Sequence, residues 1–198
     1  MSKTLMSLIV AIVLLVVVAV ASVAWVFWAI KRETVTPLTT LNTAGSTGKA
    51  LLVYHPGLSD FPDRVTAGFA DGLAQSGWRI DRTTASREAP TDVKAYDLIV
   101  LGSPVYADAA AAPLRDYIAR VGDFHEKPVI VVFTAARDAA TAIEAAAAMV
   151  TRAHGKVVGR FGYTTRANKS ANPYPGSNAD NAVEMARDAG RSLAIKPD

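Results

Sequence analysis

The sequence predicts an α/β fold: a three-layer, doubly wound sheet of five parallel strands, preceded by one transmembrane helix. Three observations carry that prediction. From Lys49 onward, short apolar runs alternate with amphipathic stretches, the pattern of strands connected by crossover helices. Most of the runs are apolar on consecutive residues, as in strands buried on both faces. Ahead of them, Thr4–Ile30 contains no charged side chain.

The elements follow in chain order. A helix over Thr4–Ile30 would extend roughly 40 Å, enough to cross a hydrocarbon core with some tilt. Trp25, Phe27 and Trp28 stand near its end, where an aromatic belt meets the headgroups. Ala19–Ala21 and Ser22–Ala24 resemble signal-peptidase sites. However, the apolar run continues past both and exceeds a usual signal core of about 7–15 residues, so residues 1–31 read as an uncleaved anchor. Lys31 and Arg32 against Lys3 and the terminal amine lean toward a cytoplasmic C-terminal domain, whereas the Thr/Gly/Ser/Pro segment Thr34–Gly48 is of a kind often found outside cells. Residues 32–48, rich in Thr, Gly and Ser, lack the apolar content to bury a core and read as a flexible linker.

Residues 49–198 have the size of one domain. Lys49–Tyr54 is a first strand, followed by a Gly/Pro loop and a helix from about Pro62 with Val65, Phe69 and Leu73 on one face. Trp78–Thr84 alternates more and suits an edge strand. Asp97–Leu101 is the third strand, ending at Gly102-Ser103-Pro104. The helix after it places Leu114, Tyr117, Ile118 and Val121 at i, i+3, i+4 and i+7. Pro128–Phe133 is a fourth strand, an Ala-rich helix runs to about His154, and Lys156–Tyr163 is the fifth. Ala179–Leu193 forms the last helix. The Ser/Asn/Pro/Gly stretch Lys169–Asn178 between them is either a lid or, the preferred reading, a mobile connection.

Composition excludes several functions. The chain has net charge +3, with 21 basic and 18 acidic residues. Lys3, Lys31, Arg32 and Glu33 lie outside the domain, which leaves 18 basic against 17 acidic residues within it. No polybasic face suggests nucleic acid. Cysteine is absent, so no disulfide argument about compartment arises. His55, His125 and His154 are scattered, and no His or carboxylate recurs at metal-ligand spacing. Gly57-Leu58-Ser59-Asp60-Phe61 starts like a hydrolase nucleophile elbow but lacks the second glycine. A phosphoacceptor receiver would need acidic residues where His55-Pro56 and Ser103-Pro104 stand.

The most informative segment is Asp97-Leu-Ile-Val-Leu-Gly102-Ser103-Pro104-Val105-Tyr106, with Pro113-Leu114-Arg115-Asp116-Tyr117 beyond it. In open α/β sheets, ligands bind at the carboxyl ends of such strands. Gly102 and Pro104 would stiffen the turn, and Tyr106 offers a flat face with a polar tip. It could stack on a planar ligand or pack against Ala109–Ala112.

These residues resemble the flavodoxin superfamily, whose members carry a similar G-[ST]-P-x-Y segment beside a flavin ring. The resemblance spans nearly all of Lys49–Leu193 and implies strand order 2-1-3-4-5 with bound FMN. It places the cofactor among three loops: His55, Gly57, Leu58, Ser59 and Phe61; Ser103, Pro104, Val105, Tyr106 and Ala107; and Thr134, Ala135 and Arg137. It further implies electron exchange with a quinone, NAD(P)H or a partner protein. No side chain is identified as an acid or base. The first loop departs from the family's S/T-x-T-G-x-T phosphate cradle. Gly57 and Ser59 match, His55 replaces the first hydroxyl, and one residue is missing. Asp60 and Asp63 are either ordinary helix-start acids or a source of repulsion toward a phosphate. Two functions follow from this: a membrane-tethered FMN electron-transfer or reductase domain, or a degenerate domain without flavin that acts as a tethered interaction module.

Overall fold

The computed structural model describes residues 3–166 and 173–193. The chain divides into two compact units, Met1–Arg32 and Glu33–Asp198. The first is a single helix, α1 (Lys3–Lys31). Its Ala11–Lys31 portion has mean hydropathy 2.7 and is long and apolar enough to cross a membrane. Length and composition alone give that result, and a signal sequence would pass the same test.

The second unit contains a seven-stranded mixed sheet with helices on both faces. Its strands are β1 (Thr39–Leu41), β2 (Gly48–Tyr54), β3 (Trp78–Thr84), β4 (Leu98–Tyr106), β5 (Ala109–Ala110), β6 (Pro128–Ala135) and β7 (Lys156–Thr164). The helices are α2 (Phe61–Gln75), α3 (Ala112–Val121), α4 (Ala140–Arg152) and α5 (Asn178–Arg191). Neighbouring strands run β1-β3-β2-β4-β6-β7, with β5 on β4. The five parallel strands therefore stand in the expected order 2-1-3-4-5.

Two expectations about the sheet need correction, because it is not a clean five-stranded parallel one. First, β3 is not at the edge. β1 pairs antiparallel along it, Thr39 opposite Arg82 and Leu41 opposite Ile80. The residues read as linker supply this strand because threonine is β-branched and suits a strand as well as a stalk. Their hydroxyls and backbone are bonded to β3: the Thr36 N–H donates to Thr84 Oγ1 (3.0 Å), and Thr84 Oγ1 donates to the Thr34 carbonyl (2.5 Å). Thr40 Oγ1 donates to Asp81 Oδ1 at 2.7 Å. Asp81, buried on β3, also takes Lys49 Nζ at 2.9 Å and the Tyr96 hydroxyl at 3.1 Å. Burial alone would raise its carboxyl, but these three donors outweigh that and hold it below its usual value.

Second, β4 does not stop at Gly102. It stays paired with β6 as far as Pro104 opposite Thr134, then reverses through Ala107-Asp108 into β5. Pro104 is tolerated because β2 ends opposite Gly102, so no strand there needs its missing N–H. Ala107 and Asp108 have φ of 48° and 59°, the left-handed pair of a two-residue type I′ hairpin.

Side chains alternate between two apolar layers. Leu51, Val53, Ile99, Leu101, Val131 and Phe133 face α3 and α4 through Leu114, Tyr117, Ile143 and Val150. Leu52, Val100, Ile130 and Val132 face α2 and α5 through Val65, Phe69, Leu73 and Ala186. On this second side α2 and α5 meet backbone to backbone. A Cβ added at Gly72 would lie 2.0 Å from the Arg187 carbonyl oxygen, and one at Gly190 would lie 2.3 Å from that of Phe69. Ser177 caps α5 and exchanges bonds with Asp180 in a capping box. Of the connection expected over Lys169–Asn178, residues 169–172 lie outside the described residues. Tyr174, after them, donates its N–H to Asn181 Oδ1 at 2.7 Å.

Candidate functional site

The strand order reverses between β2 and β4, so their following loops diverge and leave a crevice at the carboxyl ends of the strands. A cleft of about 310 Å³ opens there. One wall is the start of α2 with the loop before it: Leu58, Ser59, Phe61 and Pro62. The opposite wall is the end of β4, from Pro104 to Tyr106. Thr134, Ala135 and Ala136 close one side, with Thr165 just past β7. The volume sits at the low end of small-molecule pockets, about 300–1,000 Å³, which suits one ring system.

Leu58, Ser59, Phe61, Pro104, Val105, Tyr106, Thr134 and Ala135, all read from the sequence as site residues, come together here. His55, Gly57, Ser103, Ala107 and Arg137 are not among the lining residues. His55 follows β2 and donates its N–H to the Gly102 carbonyl at 3.0 Å. Leu51 and Val53 face the α3–α4 layer, and strand alternation sends His55 the same way. Its ring is 2% exposed, and neither nitrogen has a hydrogen-bond partner among the described residues. Burial pushes this imidazole down to about 4. Ser103 is buried behind the cleft, its hydroxyl donating to the Pro104 carbonyl and accepting the Ala111 N–H. Ala107 forms the hairpin turn, and Arg137 is exposed.

Pro62 and Thr165 lie outside the three expected loops, whereas Ala136 falls inside the expected Thr134–Arg137 loop without being singled out in it. Ala136 continues Thr134-Ala135 and was legible as the third residue of that loop. Thr165 stands beyond the last apolar strand with no distinguishing neighbour in the sequence.

Two features mark the cleft as more than a packing defect. Thr134 is 2% exposed, and its Oγ1 has no partner among the described residues. Ile130 and Val132 face the α2 layer, so Thr134, two residues on, points toward the α2 start. A buried, unpaired hydroxyl on a cleft wall is a polar group that a ligand can satisfy. The second feature is Tyr106, whose half-buried ring lines the cleft beside Pro104.

FMN, the cofactor implied by the flavodoxin resemblance, fits this site at its ring end and not at its phosphate end. A phosphate there would need free backbone N–H groups and a net positive field at the α2 start. The Leu58 N–H already donates to the Tyr106 hydroxyl at 3.1 Å. Gly57 is closed over by the same tyrosine: a Cβ added to it would lie 3.0 Å from that hydroxyl and 3.2 Å from Pro104. Pro62, in the first turn, has no N–H. Asp60 and Asp63 bring two carboxylates to this helix start, and the arginines that reach it are committed. Arg64 pairs with Asp180 at 2.5 Å and with Asp60 at 3.8 Å. Arg82 pairs with Asp63 at 2.9 Å and stacks 4.2 Å over the Tyr54 ring. Bonds from Ser177 and Arg64 pull the Asp180 carboxyl down to about 2, so it stays charged at neutral pH.

No protein-family model matches the sequence, and no curated protein matches it. Solved structures do match the fold. A flavodoxin from the domain Archaea superposes with TM-score 0.58 at 13% identity, over 74% of this chain and 96% of its own. The NAD(P)H:quinone oxidoreductase from Methanothermobacter marburgensis gives 0.54 at 16% identity, over 77% and 99%. An azoreductase from Bacillus anthracis gives 0.53 at 13% identity, over 73% and 99%. At these identities the likeness establishes the flavodoxin-like fold and nothing finer.

Proposed function

We propose that Glu33–Asp198 is a flavin-linked redox domain whose cleft receives a planar redox ring, tethered to a membrane by Thr4–Ile30. The observation that carries this reading is the cleft between the α2 start and the ends of β4 and β6, with the unpaired Thr134 hydroxyl on its wall. The similar folds of a flavodoxin and of quinone and azo reductases support it. Tyr106 and Pro104 would pack on the ring and Thr134 would bond its polar edge. A flavin bound there supplies the electron chemistry, and the protein orients it and excludes water. A quinone, NAD(P)H or a partner protein is the expected exchange partner at the open rim. The expected side of the membrane is cytoplasmic, on the basis of Lys31 and Arg32.

The test is a visible spectrum of the purified full chain in mild detergent, followed by titration with flavins. Flavin fluorescence quenched at micromolar protein supports the reading. A colourless chain that quenches no flavin refutes it and leaves the second reading, a tethered interaction module without flavin. The closed phosphate loop, where Tyr106 occupies the Leu58 N–H, favours that second reading. Protease digestion in intact cells tests the side of the membrane: cleavage of the domain from outside would overturn the cytoplasmic assignment.

A further inference from the structure

We propose that the cleft selects an isoalloxazine that carries no phosphate, so that riboflavin is held at least as well as FMN. This rests on the redox-domain reading above and makes its ligand specific. The cleft walls are largely apolar, with Pro104, Val105, Ala135 and Ala136, and their polar groups are uncharged: the hydroxyls of Ser59, Tyr106 and Thr165 and the buried, unpaired Thr134 Oγ1. Nothing there requires a charge. The adjoining helix start resists one for three separate reasons. Its donors are reduced, since Leu58 gives its N–H to Tyr106 and Pro62 has none. Its field is unfavourable, since Asp60 and Asp63 repel a dianion while Arg64 and Arg82 already face carboxylates. Its space is narrow, since a Cβ added at Gly57 would lie 3.0 Å from the Tyr106 hydroxyl and 3.2 Å from Pro104 and Pro62. A phosphate seated at Gly57 and Leu58 would have to displace the tyrosine and break its bond to the Leu58 N–H.

The experiment compares riboflavin and FMN by fluorescence titration of the full chain in mild detergent, with protein-free micelles as the blank. The expected result is a riboflavin Kd equal to or below that of FMN. With Asp60→Asn, FMN should bind about fivefold tighter at low salt, because one carboxylate no longer repels the phosphate. Riboflavin binding should not change, since Asp60 does not line the cleft. FMN binding tenfold or more tighter than riboflavin would overturn this inference and leave the redox-domain reading standing. Failure of both flavins to bind would overturn that reading and the inference with it. A rise in riboflavin affinity equal to that of FMN in Asp60→Asn would overturn the electrostatic argument.

Discussion

Replacing His55 by leucine should flatten the acid side of the domain's stability profile by about 3 kcal/mol. The imidazole is 2% exposed and both nitrogens lack partners among the described residues. Burial lowers it from the ordinary 6.5 to about 4. Below pH 6.5 the unfolded chain takes up a proton that the native state refuses. Stability is therefore fully present above 6.5, falls as pH drops toward 4, and then levels off. A difference of about 2.5 units at roughly 1.36 kcal/mol each gives the 3 kcal/mol. Leucine is of similar bulk and cannot titrate. At pH 7.5 the variant should match the parent or exceed it, since an unsatisfied buried polar group costs about 1–3 kcal/mol. Urea midpoints of the full chain in detergent at pH 7.5, 6, 5 and 4, at unchanged m-value, would give both results. Parallel pH profiles for the two proteins would refute the reasoning. So would a loss above about 1 kcal/mol at pH 7.5, which would mean that the imidazole is hydrogen-bonded after all.

Gly72→Ala should lose about 3 kcal/mol or more despite alanine's better helix propensity, because its Cβ would sit 2.0 Å from the Arg187 carbonyl oxygen. A thermal melt checks this, and an unchanged Tm would contradict the close approach of the two helices. Ala107→Gly should add up to about 1 kcal/mol by relieving a left-handed φ of 48°, measured as a rise in urea midpoint. Thr40→Val should cost about 1 kcal/mol, the bond it gives Asp81. It should also move the loss of stability contributed by Asp81, which lies below the ordinary carboxyl value, toward higher pH. Melts between pH 2 and 5 test that shift.

The parallel core of the fold was legible because β2, β4 and β6 are buried on both faces and their apolar runs admit no other strand period. The cleft was legible through Gly102–Tyr106, where turn-forming residues and an aromatic follow such a run. What stayed hidden depends on tertiary partners. Thr39–Leu41 is a strand only because β3 offers it an open side. Composition alone cannot separate a threonine stalk from a threonine strand. Pro104 looked like a terminator because the end of β2, which makes it harmless, lies 50 residues away. His55 matched a phosphate-loop position by alignment, yet strand alternation carries its ring to the opposite layer. The use of the glycines of α2 becomes visible only against α5.

That helix contact bears on how a ligand enters. The wall formed by the start of α2 belongs to a helix pressed backbone to backbone on α5, with Gly72 and Gly190 leaving no compressible side chain between them. Such a contact resists sliding, so this wall should behave as a fixed anvil. The facing wall is the β4–β5 hairpin, held by two residue pairs, by the Ala111 N–H on Ser103 and by the single Leu58–Tyr106 bond across the cleft, and turned through two left-handed residues. Induced fit should therefore be one-sided. The hairpin should open and close over the guest on a fast timescale while α2 stays protected from hydrogen exchange, and substitutions that alter entry rates should map to residues 105–110.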